Sequence, residues 1–217
     1  DKHYKFIFTK KKMNNNSTKR GIAPADNINI YRWDNKKIIF SYARPNNSIK
    51  KTLEEAVKQG VDLSYAYLEE AQLSNANLAE AKLFSAHLWF ADLRNANLEG
   101  ANLRQAALVE ADLEHANFTD ADLVRANLQM VVAEGANFEG AYLEEANLEG
   151  AKLDEANFQY ASCKRAEFGD SHIDGADFRD TDLTYAYFGD VDTSVADFEG
   201  SNYDEAETLA YLEQEDE

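Results

Sequence analysis

The chain has 217 residues but only one cysteine, Cys163, so no disulfide can close within it. No apolar run approaches the roughly eighteen residues a membrane-spanning helix needs. The first residues also lack the apolar core of a secretory leader, so the expectation is a cytoplasmic chain without a membrane segment. A glycine-rich phosphate loop, a Gly-Lys-Ser/Thr triplet and a His-Glu-x-x-His pair are all missing. His87, His115 and His172 stand far apart and match no metal-site or triad spacing. Paired carboxylates such as Glu69-Glu70 and Glu144-Glu145 are numerous and undistinguished. These absences lead to the expectation of a protein that is not an enzyme, with no cofactor, no metal and no small-molecule substrate.

Positive charge is scarce in most of the chain. Residues 1–60 hold fourteen Lys and Arg against five Asp and Glu. Residues 61–205 hold eight against thirty, a net of −22. The last twelve residues carry five acids and no base. This is a basic head, an acidic body and an acidic tail, with −18 overall.

What the body does have is a repeat. From Val61 to Glu205 the sequence reads in fives without an insertion, giving 29 units of the form Ala-(Asn/Asp)-(Leu/Phe)-x-x. The third position is Leu or Phe except at Ala133, Cys163, Ile173, Thr193 and Tyr203. The first is Ala except at Val61, Val131, Ser171, Thr181, Val191 and Ser201. A fixed short period means a solenoid. A period of five would smear these residues around a helix, whereas in an extended segment positions one and three face the same way. Ala and Leu/Phe therefore point inward, the other three positions face out, and the chain turns every five residues. Cys163, at an inward third position, reads as a small core hydrophobe.

The spacing of twenty sets the number of sides. Phe118, Phe138, Phe158, Phe178 and Phe198 fall twenty apart, as do Asn77, Asn97, Asn117, Asn137 and Asn157. Four units per coil give a square cross-section, and the asparagines read as a ladder of side-chain amides bonded above and below. The stretch resembles the pentapeptide-repeat family, whose consensus is A(D/N)LXX. The resemblance implies a β fold: a right-handed quadrilateral β-helix. With strand spacing of roughly 4.8 Å per coil, about seven coils make a rod on the order of 35 Å long.

Four segments are expected. Residues 1–27 read as a basic, polar arm with partial disorder; Met13, ahead of three asparagines, is a candidate native start that would make residues 1–12 an addition. Residues 28–60 read as a β-hairpin around Asp34-Asn35 followed by a short helix, 49–59, with N-cap candidates at Asn46–Ser48 and Gly60 closing it. Hairpin and helix would cap the first coil of the 61–205 solenoid. Residues 206–217 form an acidic cap or tail, where Leu209 and Leu212 could fold over the last coil. In some members of the resembled family that end forms a dimer contact, which makes a homodimer an expectation here.

Sorting the outward positions by twenty separates four faces, named here by their first leucine. The Leu63 face holds Lys82, Arg104, Arg125, Lys164 and Arg165 and nets −2, while the Leu68, Leu73 and Leu78 faces net −7, −6 and −7. Glu80, Glu99, Asp112, Glu114, Asp120, Glu139, Asp154, Asp177, Asp180 and Asp197 on the Leu73 and Leu78 faces are candidate acidic contacts. On the Leu68 face, Tyr67, Trp89, Phe90, Val109 and Met130 should stack on adjacent coils and face outward. Such a patch marks a contact with a partner or a second copy, unless the hairpin covers it with Trp33, Ile38 or Phe40.

Two functions follow. The first is a rigid protein–protein interaction scaffold working through the Trp89/Phe90 patch. The second is DNA mimicry: about 35 Å of duplex carries roughly 20 charges, close to the −22 of the body. The resemblance supports it, because the Qnr and MfpA types of the family bind type II topoisomerases (gyrase) in place of DNA and alter quinolone sensitivity. Qnr-type protection depends on loops that interrupt the coils, and none interrupts this frame, so the MfpA-like case is nearer. No direct nucleic-acid contact is expected of the solenoid under either reading.

Overall fold

The computed structural model describes residues 25–203. Its body is a square coil, and the coil follows from where five backbone N–H groups go. The third N–H of each unit donates to the coil below, as Leu103 N–H does to the Asp122 carbonyl at 2.7 Å. The fifth does the same, Gln105 N–H to Val124 at 3.0 Å, and the second reaches the coil above, Asn102 N–H to Ala81 at 2.9 Å. The first closes the corner, Ala106 N–H to Leu103 at 2.9 Å. Where position two is Asn or Asp, its side chain can take the fourth, as Asn102 Oδ1 accepts from Arg104 N–H at 3.2 Å. Asn and Asp therefore recur at position two because a short side-chain acceptor satisfies the one donor the coil leaves over. The same contact holds at Asp92, Asn117, Asn157 and Asp197, among others.

Single-residue parallel bridges join position two of each unit to the residue twenty further on, from Asp62–Lys82 to Asp177–Asp197. Leu and Phe at position three and Ala at position one are buried from Leu63 to Ala186. Phe118, Phe138, Phe158, Phe178 and Phe198 stack with centroids 4.7–5.0 Å apart, and Phe168 stacks on Phe188 at 4.7 Å. Cys163 is fully buried, and burial, with Glu144 and Asp182 nearby, pushes its thiol pKa well up, so it packs as an inert hydrophobe. The expected asparagine ladder is present in part: Asn117 donates to Asn97 at 3.1 Å and Asn157 to Asn137 at 2.9 Å, while Asn137 turns to Thr119 at 2.9 Å.

Each corner demands a left-handed residue. The fifth position has positive φ at every unit from Tyr65 to Asp190, between 51° and 69°. Glycine fills five of these places, yet Glu, Arg, Met, Phe and Tyr hold others, at a cost on the order of 1 kcal/mol each. The coil's hydrogen bonds over-determine the turn and hold them there.

Among the described residues the frame first fails near the C-terminal end of the coil. At 191–195 the units continue in sequence but the geometry does not: a 3₁₀ turn, Thr193–Val195, replaces the corner, and among the described residues no bridge joins His172 to Asp192. The uninterrupted regularity expected to Glu205 is thus corrected by its residue types. Val195 stands where φ must be positive, which a β-branched residue resists, and Thr193 puts a hydroxyl in the leucine slot. Tyr203 restores packing beyond it, its ring 4.4 Å from Phe198. Leu209, Leu212 and the rest of 204–217 lie outside the described residues, as do residues 1–24.

The opposite end is capped. Strands β1 (Ala25–Tyr31) and β2 (Ile38–Pro45) form the expected antiparallel hairpin, starting three residues earlier than the sequence indicates. Helix α1 (Ile49–Lys58) starts at the Ser48 N-cap, whose hydroxyl accepts from Lys51 N–H. It ends with Gly60 at φ 67°, where Gly60 N–H reaches Val57 and Val61 N–H reaches Ala56. Leu53 and Ala56 bury on the core, and edge groups of the first coil find partners in the cap. Asn77 N–H donates to Glu54 Oε1 at 3.1 Å, Lys50 Nζ to the Ser74 carbonyl at 2.9 Å, and Tyr67 N–H to the Tyr31 carbonyl at 2.7 Å.

Candidate interaction surfaces

The apolar strip lies at the outward positions of the Leu68 face: Trp89 and Val109 at position four, Phe90 and Met130 at position five, beside Tyr67, His87 and Ala107, which stand where Asn or Asp is usual at position two. The hairpin covers only the top of it. Trp33 stacks on His87 at 4.3 Å and 12°, and its indole N–H donates to the Ser85 carbonyl at 2.8 Å. His87 in turn stacks on Trp89 at 5.0 Å. Burial between two indoles, with Lys36 nearby, lowers the His87 pKa. Lys36 lies over the Tyr67 ring, and the Tyr67 hydroxyl donates to Glu69; burial and that carboxylate raise its pKa. Of the other two residues expected to cover the strip, Phe40 packs on the core and Ile38 is itself exposed.

Below that cover the strip is open. Trp89 is 37% exposed, Phe90 48% and Met130 59%, while Tyr67 and Val109 are half-buried. Every charged residue of this face is acidic: Glu69, Glu70, Glu110, Glu149, Glu167, Asp170 and Asp190. An apolar strip set in mostly negative charge, with Lys36 of the hairpin over its top, can take a partner that brings both apolar and basic groups. The aromatic row through Trp33 was not anticipated, although a histidine at position two beside Trp89 was its sequence signal.

The ten acidic candidates divide. Glu80, Glu99, Asp120, Asp180 and Asp197 are exposed, and Asp112, Glu114, Glu139, Asp154 and Asp177 are half-buried. Arg94 bridges Asp92 at 2.8 Å and Asp112 at 3.3 Å, and Arg179 bridges Asp177 at 2.6 Å and Asp197 at 3.6 Å. The arginines hold Asp92 and Asp177 below the usual carboxylate range. Asp112 and Asp197 also accept backbone N–H groups at their own turns. Among the described residues no ion pair joins Glu80, Glu99, Asp120, Glu139 or Asp180 to a base, so the clearest acidic row runs down the Leu78 face.

Where the ladder fails, Asp170, Ser171, His172, Ile173, Asp174, Asp190 and Asp192 line an open cleft of about 320 Å³. Among the described residues no three His, Cys, Asp or Glu stand where they could hold a metal ion, and no helix is long and apolar enough to cross a membrane.

Comparison with known proteins agrees with the coil. The family profile described as pentapeptide repeats matches in eight copies over residues 62–100, 96–132, 134–162 and 161–200. Similar solved structures include HetL of the cyanobacterium Nostoc sp., a pentapeptide repeat protein involved in heterocyst differentiation regulation. It is 28% identical, with 65% of this chain and 78% of that chain covered and a TM-score of 0.37. QnrB1, a plasmid-mediated fluoroquinolone resistance protein, is 20% identical, with 67% and 84% covered and a TM-score of 0.45. A pentapeptide repeat protein of the Arabidopsis thaliana thylakoid lumen is 30% identical over 52% of this chain and 69% of its own, with a TM-score of 0.21. A search of curated protein sequences found no match. Coil, core and profile agree: the chain belongs to the pentapeptide-repeat family, whose members fold as right-handed quadrilateral β-helices and are generally non-enzymatic.

Proposed function

We propose that the protein is a non-enzymatic interaction rod that binds another protein through the apolar strip of its Leu68 face. The observation that carries this is the exposure of Trp89, Phe90 and Met130, none of which belongs to the buried axial core. Trp is enriched where interfaces concentrate their energy, and apolar contacts respond weakly to salt. With the full chain as bait, captured partners should survive a rise in salt and be lost on Trp89→Ala or Phe90→Ala. Equal capture by both variants would sink the reading.

A second reading is supported by charge. The body nets −22, against roughly 20 charges on a duplex of about 35 Å, and Glu80, Glu99, Asp120 and Asp180 display it along one face. Such a rod would take the place of DNA on a basic groove, a type II topoisomerase being the candidate partner. In a gyrase supercoiling assay it predicts inhibition that weakens steeply with salt and is lost when those carboxylates become amides. No inhibition at tens of micromolar would discard it.

A further inference from the structure

We infer that the strip on the Leu68 face docks an α-helix of a partner protein, one that lies along the rod and presents basic and apolar side chains on alternate turns; this rests on the strip being a contact surface. The fifth positions of the face carry it. In successive coils they are Glu70, Phe90, Glu110 and Met130, all exposed at the positive-φ corner, and Gly150 ends the alternation. Trp89 and Val109 flank the column at position four. No Lys or Arg stands on the face, which nets −7. Acid and apolar groups thus alternate in one row, and the complement is a row alternating Lys or Arg with an apolar side chain.

Spacing selects the helix. Neighbouring coils lie about 4.8 Å apart, so the four side chains span roughly 14 Å. One face of an extended strand repeats every 6.8 Å or so, and it drifts out of step by its second side chain. A helix offers side chains at i, i+4, i+7 and i+11, one per turn of about 5.4 Å, and a tilt of about 27° brings that rise to the coil spacing. The hairpin already places the same chemistry at the head of the face, where Trp33 stacks on His87 and Lys36 lies over Tyr67. A second copy laid strip to strip would oppose two faces that each net −7 and would bring no bases. The glutamates set register and approach, whereas Phe90 and Met130, with Trp89 beside them, hold the bound helix.

Synthetic helical peptides titrated into the full chain test this. The probe is an Ala/Gln-rich peptide of eighteen residues with Lys, Leu, Lys and Leu at its positions 4, 8, 11 and 15, followed by isothermal titration and by the gain in helical circular dichroism. A second peptide of the same composition orders the four as Lys, Lys, Leu, Leu, and a third carries a central proline. The alternating peptide should bind about tenfold more tightly than either. Phe90→Ser should remove that advantage, and so should Glu110→Arg, which a peptide with Glu at position 11 should restore. Ser85 and Arg125 hold the same corner at φ 51° and 58°, so both variants keep the coil. Equal binding of the block-ordered peptide overturns the alternation, and equal binding of the proline peptide overturns the helix. No binding overturns both, and binding that persists in Phe90→Ser puts the peptide elsewhere and overturns the inference as well. Self-association of the chain that is lost in Phe90→Ser assigns the strip to a second copy, with the same consequence. Failure of the peptides while partner capture still depends on Trp89 defeats this inference alone, whereas capture that survives Trp89→Ala defeats the strip reading with it.

Discussion

Two parts of the rod share one sequence frame and differ in outcome. In the central coils, from Ala101 to Tyr160, the second, third and fifth backbone N–H groups bond to a neighbouring coil, and every fifth residue sits at positive φ. At 191–195 the same five-residue frame gives a 3₁₀ turn, and among the described residues no bridge joins His172 to Asp192. Hydrophobicity alone does not separate them, since Val191 and Val195 are at least as apolar as the residues usual at their positions. The difference teaches that the repeat is a backbone code as much as a core code. Position five must tolerate the left-handed region, and position three must fill the axis without bringing a hydroxyl.

The comparison can be broken most forcefully in the centre. Leu103→Lys puts an unpaired charge where nothing is exposed and should cost more than about 4 kcal/mol, seen as loss of the cooperative thermal transition. An unchanged melting temperature would mean that third positions do not face inward. Phe158→Ala should cost about 3–5 kcal/mol, because it opens a cavity between Phe138 and Phe178 that the stack cannot close.

The irregular unit can be repaired. Thr193→Leu with Val195→Asn should restore the corner and gain about 1–2 kcal/mol. It should also slow exchange of the Ile173 amide, whose partner in a regular coil is the Asp192 carbonyl. If stability rises while that amide stays open, the gain comes from side-chain burial and the backbone account is wrong.

Glycines sharpen the same point on a smaller scale. Gly135→Ala places a methyl 2.5 Å from His115 Nδ1 at φ 61°, whereas Gly60→Ala at φ 67° meets nothing within 4 Å. Chemical denaturation should show about 1 kcal/mol for Gly60→Ala from the left-handed conformation alone, and more for Gly135→Ala.

The smallest effect is that of pH. Arg179 holds the Asp177 pKa below its ordinary value, so this pair stabilises the fold above the unfolded pKa of about 3.9. The contribution disappears as pH falls through the lower folded value. Arg179 is 43% exposed, so water screens the pair and the effect is small. Melting curves between neutral and strongly acid pH should fall slightly less steeply for Arg179→Gln.

Much of the fold was legible because the code is local and repeated. A period of five with Ala and Leu/Phe set the inward side, Phe columns at twenty gave four faces, and Ser48 and Gly60 bounded α1. Asn and Asp at position two were visible, but their main work was not. They take the turn's leftover N–H, a role that appears only when all five donors are followed. Trp89, Phe90 and Met130 were placed on one face by arithmetic, and their exposure was decided elsewhere. Trp33 could have covered all three; it reaches His87 and stops.

The sequence by itself determined the solenoid, its four sides, its axial core and the segregation of a −22 body from a basic head, because each depends on spacing and residue type counted along the chain. Only the tertiary structure decided which carboxylates Arg94 and Arg179 neutralise, how far the hairpin descends, and that the ladder fails at Thr193–Val195. The cross-coil arginine pairs and the descent of the hairpin turn on contacts between residues eighteen to fifty or more positions apart, where angstrom-scale geometry governs which of several compatible partners is met, while the failure at Thr193–Val195 follows from residue types whose effect shows only against the geometry of the corner.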